Sequence, residues 1–369
     1  DPEMSRGLGD VYKRQASHGE GKTNLKISVP ENGKCYLKLI YYLKKEMPLL
    51  EENHILGFDE IEVSQKDAKC QLAEKWLEKT ATDSELQVNE DDTQIHIKGR
   101  EFAYTIDRRT ALFTEMKFAG REYLNHPMEL NIWRAPTDND MYIKAEWKKA
   151  HYDKAYTRAY TTEVVQGKHG VKIVSHASVV AETVQKILDV TITWKIDASG
   201  KIDADIEATK DGEFPDLPRF GVRMFLDKKL SDARYFGMGP QESYRDKHQA
   251  ASHGLYRANV RDLHEDYIRP QENGSHYDCG YVELNNSRYG MAAFSESTFS
   301  FNASYYTQEE LEKKTHNYEL AESDSVVLCV DYALNGIGSN SCGPVVLDQY
   351  RFNDVLFRFQ FTLVPYVKG

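Results

Sequence analysis

Apolar and polar residues alternate along most of this chain, and a period of two marks a strand with one face buried. Leu25, Ile27 and Val29 alternate with polar neighbours, and Cys35, Leu37, Leu39, Tyr41 and Leu43 do so after the Pro30-Glu-Asn-Gly33 turn. Ile61 and Val63 predict a third strand. From about Glu85 the alternation dominates, in Ile95/Ile97, Phe102/Tyr104/Ile106, Val190/Ile192/Trp194/Ile196 and Ile202/Ala204/Ile206. It returns in Phe299/Phe301/Ala303/Tyr305 and in Val355/Phe357/Phe359/Phe361/Leu363. Asp197-Ala-Ser-Gly200 predicts a hairpin loop whose glycine is free to take positive φ. Helical signal is confined to two short pieces. Thr307-Gln-Glu-Glu310 is a capping box opening a helix through about Lys314, and Trp147 to Ala155 is the other.

So many antiparallel-type strands with few helices predict a large two-sheet sandwich over residues 93–369. A polar linker is expected at 79–92 and a smaller β unit at 16–78. The three strands visible in that unit fall short of the roughly seven of an immunoglobulin-like sandwich, so it reads as a partial one, cut at its N-terminal side. Residues 1–15 join no pattern downstream and read as a non-native leader.

Bulk properties narrow the function. A formal net charge of −11 and a pI near 5.6 argue against a nucleic-acid surface. No apolar run approaches the ~20 residues that span a bilayer, and no signal-peptide pattern opens the chain, so a cytoplasmic location without membrane contact is expected. The five cysteines (Cys35, Cys70, Cys279, Cys329, Cys342) are odd in number and widely spaced, without CxxC. Reduced thiols are the simplest reading; a Cys329–Cys342 disulfide is open but not demanded.

Four stretches pack Gly, Pro, Asn and Asp around aromatic or cationic residues, the chemistry of fixed loops at strand ends. They are Asn131-Ile-Trp-Arg-Ala-Pro-Thr-Asp-Asn-Asp140, Tyr235-Phe-Gly-Met-Gly-Pro-Gln-Glu-Ser-Tyr-Arg-Asp246, Tyr267-Ile-Arg-Pro-Gln-Glu-Asn-Gly274 and Gly336-Ile-Gly-Ser-Asn-Ser-Cys-Gly-Pro344. In that order they resemble the C-terminal, small-chain region of family 2 β-galactosidases. The resemblance covers roughly residues 20–367 and is strongest from 131 to 344. It implies an all-β fold: a large antiparallel β super-sandwich (galactose-mutarotase-like) preceded by a partial immunoglobulin-like β-sandwich. It also implies an enzyme that hydrolyses terminal non-reducing β-D-galactose, as in lactose, with retention. In that family both catalytic glutamates sit on a TIM barrel. No βαβα pattern occurs in this chain, so no catalytic residue is expected here. The implied partners are the barrel portion or large subunit, the β-galactoside and further copies in a homo-oligomer. Magnesium and sodium are expected on the barrel, and no cofactor on this chain.

Glu242 and Glu272 each sit in a Pro-Gln-Glu turn and read as loop-shaping carboxylates, accepting loop amides or pairing with Arg245 or Arg269. Asp138-Asn139-Asp140 lacks the spacing of a calcium loop. With Trp133 as an aromatic plug and Arg134 pairing these acids, it reads as a structural corner, with sugar contact or a metal as alternatives. The substrate-binding candidates are Ser339, Asn340, Ser341 and Cys342, whose loop corresponds to one reaching the active-site mouth in the family. Some members carry a stacking Trp where Cys342 stands. Cys342 has no histidine nearby in sequence to act as a base, so it reads as a lining or structural thiol. Gly221, in Pro218-Arg-Phe-Gly221, matches a family loop that shifts as substrate binds; it reads as a hinge or as an ordinary strand-start glycine. His276 reads as structural. The rival from another class is a free-standing carbohydrate-binding or scaffold sandwich, whose mark would be a row of aromatics exposed on one sheet face. The four tryptophans (Trp76, Trp133, Trp147, Trp194) are scattered instead.

Overall fold

The alternating segments pair as antiparallel strands throughout. The computed structural model describes residues 24–31, 33–64, 71–77, 86–183, 186–338 and 343–368. They fall into two units divided between Gln71 and Leu72. The expected leader at 1–15 lies outside the described residues.

In the first unit, β1 (Tyr36–Tyr42) pairs with β2 (Ile55–Glu62). The Val63 amide extends that pairing by donating to the Cys35 carbonyl at 3.0 Å. Leu25, Ile27 and Val29 join no sheet among the described residues, contrary to the alternation, since a period of two forms a strand only where a partner pairs with it. Ile40, Tyr42 and Ile55 stay exposed on this two-stranded sheet.

The second unit opens with α1 (Gln71–Leu77) and a five-stranded meander. Its strands are β3 (Gln87–Glu90), β4 (Gln94–Lys98), β5 (Phe102–Asp107), β6 (Leu112–Phe118) and β7 (Arg121–Glu122). All of α1 after Gln71 falls in this unit, β3 lies within residues 79–92, and Leu86 is buried in the core.

A twelve-stranded sheet follows. Its first half comprises β8 (Leu124–Asn131), β9 (Tyr156–Gln166), β10 (Gly170–Val180), β11 (Leu188–Asp197), β12 (Ile202–Lys210) and β13 (Arg219–Asp227). Then come β14 (Asp232–Gly239), β15 (Ser252–Asn259), β16 (Ser275–Asn285), β17 (Tyr289–Ser304), β18 (Ser325–Leu334) and β19 (Leu356–Val367). Two helices interrupt them, α2 (Ile143–Lys149) and α3 (Gln308–Lys313). The Thr307 hydroxyl caps α3 as the sequence predicts, accepting the Glu310 amide at 3.1 Å. The path β15-β14-β16-β17-β19-β12-β11-β10-β9 forks at β17, whose first part pairs with β19 and whose last part pairs with β18. Strand β13 lies between β18 and β8.

The two sheets share one core. Trp194 of β11 is fully buried, meets Phe113 edge-on at 5.0 Å and donates to the Ala111 carbonyl at 2.8 Å. Tyr104 donates to the carbonyl of Gly200 at 2.7 Å, in the predicted hairpin where that glycine takes φ +84. Strand β13 is buried on both faces. Phe220, Val222, Met224 and Leu226 enter the common core, so alternation turns Arg219, Gly221 and Arg223 to the opposite side. No helix among the described residues is long and apolar enough to cross a membrane.

Candidate functional site

Chain geometry brings all four loop stretches together beside that second face of β13. After β8 the chain leaves the sheet with the Trp133 amide donating to Asn131 Oδ1 at 3.0 Å. Trp133 packs edge-on against Trp147 of α2 at 6.1 Å. Arg134, with no exposed surface, sits 5.2 Å from the centre of the Trp147 ring. Its guanidinium grips Asp140 through both ends, Nε to Oδ2 at 3.1 Å and Nη2 to Oδ1 at 2.7 Å. Such a fork makes a buried charge tolerable, since carboxylate and cation satisfy one another in a fixed plane.

The remaining Arg134 donors reach the base of the Gly336–Pro344 loop. Nη1 donates to the Asn335 carbonyl at 2.5 Å and Nη2 to the Gly336 carbonyl at 3.1 Å. Asn139 Nδ2 donates to the Ile337 carbonyl at 2.7 Å. From the other side, Asp246 accepts the amides of Ile337 and Gly338 at 3.0 and 2.6 Å. The Asn335 and Gly336 amides donate to the carbonyls of Pro218 and Tyr350 at 2.9 and 2.8 Å. Every backbone polar group from the Asn335 amide to the Gly338 amide is therefore bonded. Glycine is required here by closeness, because a Cβ on Gly336 or Gly338 would stand 2.8 or 2.7 Å from Asp246 Oδ2.

The other stretches lock onto this frame. The Asp138 amide donates to Gln271 Oε1 at 3.0 Å, and the Glu272 amide to the Ala135 carbonyl at 3.0 Å. Glu242 accepts the Gly274 amide at 2.8 Å, the Tyr267 hydroxyl at 2.5 Å and Lys247. Glu272 pairs with Arg219 at 3.2 Å, and Arg219 also holds Asp331 through two bonds of 2.6 and 3.2 Å. Among the described residues the cation is Arg219 of β13 for Glu272 and Lys247 for Glu242, in place of the expected Arg245 or Arg269. Burial pushes the Glu272 carboxyl up, against the pull of Arg219 and then Arg134.

A cavity of about 460 Å³ opens beside the loop base. Tyr142, Ile143, Ile337 and Val346 give it an apolar wall, and Asn139 and Glu146 a polar one. Glu242 and Glu272 do not line it. The sequence candidates Ser339, Asn340, Ser341 and Cys342 lie outside the described residues; the flanking Ile337 and Val345 line the cavity.

Gly221 is the third residue of β13. It sits inside β13, paired with Asn131 and Asp331, where a Cβ would come 2.2 Å from the Val330 carbonyl oxygen and 2.5 Å from Asp331 Oδ1. Its lack of a side chain makes room for the Arg219–Asp331 pair. Among the described residues no His, Cys, Asp or Glu cluster suits a metal ion. Sequence reasoning missed Arg219, Asp246 and Asn335. The first two lay within quoted motifs, but their partners are 112 and 91 residues away, beyond any local pattern.

Comparison with known proteins bears on this arrangement. Residues 98–363 match the family described as "Beta galactosidase small chain". The chain is 42% identical to a beta-galactosidase of Actinobacillus pleuropneumoniae over 92% of its own length and 33% of the relative's. It is 32% identical to a beta-galactosidase of Staphylococcus xylosus over 88% of this chain and 32% of that one. It thus spans about a third of the length of these curated relatives. Among solved structures, galactose 1-epimerase from Lactobacillus acidophilus NCFM aligns over 79% of this chain and 100% of its own at 8% identity, with a TM-score of 0.40.

Proposed function

The chain belongs to the β-galactosidase small-chain family, and on that premise we propose that it forms one edge of the sugar pocket in a family 2 β-galactosidase. The complete enzyme would hydrolyse terminal non-reducing β-D-galactose, as in lactose, in the cytoplasm. Its two catalytic glutamates, with magnesium and sodium, would lie on a TIM barrel supplied by a large subunit or by another part of the same polypeptide, in a homo-oligomer. This chain's part is positional: it holds the Gly336–Pro344 loop where Ser339, Asn340, Ser341 and Cys342 meet the leaving-group side of the sugar.

One observation carries the reading. The loop base is clamped from three sides by buried Arg134 and half-buried Asn139 and Asp246, which supports a loop held in a set position. The adjoining 460 Å³ cavity supports it, being in the range of small-molecule sites.

The test is made on this chain joined to, or reconstituted with, its barrel. Cys342→Trp adds an aromatic face comparable to one member of an aromatic pair, about 0.5–1.5 kcal/mol, or a few-fold to roughly tenfold in binding. It should change KM for lactose and the ratio of galactosyl transfer to hydrolysis more than turnover of a simple aryl galactoside. If Cys342→Trp and Asn340→Ala both leave KM, kcat and product ratio unchanged in a folded enzyme, the loop is not at the site.

A further inference from the structure

A second cavity, of about 170 Å³, shares no lining residue with the first. It lies between the start of β16, the middle of β17 and the end of β18. Tyr277, Asp278, Thr298, Ser300 and Tyr332 line it, with Arg245 at one side. In a regular strand the neighbours Tyr277 and Asp278 would face opposite ways. Here both reach the same cavity. The cause is local: the pairing of β16 with β17 slips between His276 and Cys279 and again between Cys279 and Tyr281, and Asp278 adopts φ +51. Bulges re-aim side chains, and a non-glycine residue held left-handed persists only where its surroundings over-determine it. Asp278 Oδ2 is held 2.9 Å from His253 Nε2, on a histidine side chain only 6% exposed. Arg245 is fixed too, donating to the Arg351 carbonyl at 2.9 Å.

We propose that this cavity binds a single neutral pyranose ring. Its one cation and one anion cancel, which favours an uncharged ligand. Arg245 only donates and ionised Asp278 only accepts, while the hydroxyls of Tyr277, Thr298 and Ser300 do both. That mixture matches a ring whose substituents are all hydroxyls. Phe299 and Tyr332 add apolar surface of the kind that packs on a sugar's C–H face. Size sets the upper limit: 170 Å³ is below the ~300 Å³ at which drug-sized sites begin. One ring fits that limit better than two. The proposal stands on this cavity alone, not on the role given to the Gly336–Pro344 loop.

The test uses the full 369-residue chain, with D-galactose and D-glucose as probes in titration calorimetry and saturation-transfer NMR. Saturable binding of at least one sugar is expected. Asp278→Asn removes the charge while keeping a side chain that tolerates the left-handed backbone. Thr298→Val keeps the shape and removes a hydroxyl. Each should weaken binding, Asp278→Asn by about tenfold or more, as befits loss of a bond to a charged group. Lys172→Ala, at an exposed position of β10 outside both cavities, should leave it unchanged. Denaturation midpoints identify any variant that fails to fold; if Asp278→Asn does so, Thr298→Val decides. Absence of saturable binding, binding that ignores both cavity variants, or equal weakening in Lys172→Ala would each overturn the proposal.

Discussion

His276 is buried, at 1% exposure, with its ring 5.0 Å from Phe301 and 4.5 Å from Tyr235. Nδ1 lies 3.3 Å from the Met238 carbonyl, and Nε2 finds no hydrogen-bond partner among the described residues. Burial pulls its pKa from 6.5 to about 4, although the Met238 carbonyl and Glu242 draw it the other way. The unfolded chain therefore takes up a proton that the folded one refuses. The resulting stability is whole above pH 6.5 and is lost as pH falls toward about 4, on the order of 3 kcal/mol in all. His276→Phe keeps an aromatic ring and removes the titration. Urea midpoints measured from about pH 8 to pH 4 should show wild type losing ground to the variant as acid is added. Parallel profiles would mean that His276 is not the group whose charging matters.

Strands β13 and β18 show where sequence stops being legible. Gly221→Ala would push a methyl group against the Val330 carbonyl and displace Asp331 from Arg219. Overpacking alone costs about 1–3 kcal/mol, and breaking a buried ion pair adds to it. The variant should fall in denaturation midpoint by at least that much; an unchanged midpoint with an altered KM would restore the hinge reading. Strands β11 and β12 were readable because Val190, Ile192, Trp194 and Ile196 are buried between less buried neighbours, so the period of two survives in the residues. Strand β18 is buried on both faces and reads as a nearly unbroken apolar run, SVVLCVDYAL, whereas β13, RFGVRMFLD, is buried on both faces although two arginines and a glycine occupy the second one. Likewise, the four loop stretches were visible as turn chemistry, yet their convergence depends on pairings such as Arg134 with Gly336, 202 residues apart. Local pattern names the residues that make corners. Only the folded sheet says which corners meet.

At the scale of the whole molecule, the carboxylates decide what the chain does by itself. A retaining glycosidase needs two carboxyl groups about 5–5.5 Å apart across an open sugar site. Glu272 is sealed in a buried framework, with Oε2 on Arg219 and its backbone amide on Ala135, while Oε1 has no hydrogen-bond partner among the described residues. Glu242 is occupied by Gly274, Tyr267 and Lys247. Neither faces the cavity at the loop base. Purified 1–369 assayed with a chromogenic β-galactoside should therefore show no turnover, even though its sandwich is folded. Mixing it with a barrel-bearing portion should raise activity above that portion alone, and Arg134→Ala should weaken the gain, because the loop base loses its clamp and Asp140 is left charged and unpaired. The two parts of the prediction fail separately. Turnover by the chain alone that disappears in Glu242→Gln or Glu272→Gln would move the chemistry onto this sandwich. Reconstituted activity indifferent to Arg134→Ala in a folded chain would leave the small chain as a scaffold with no hand in the pocket.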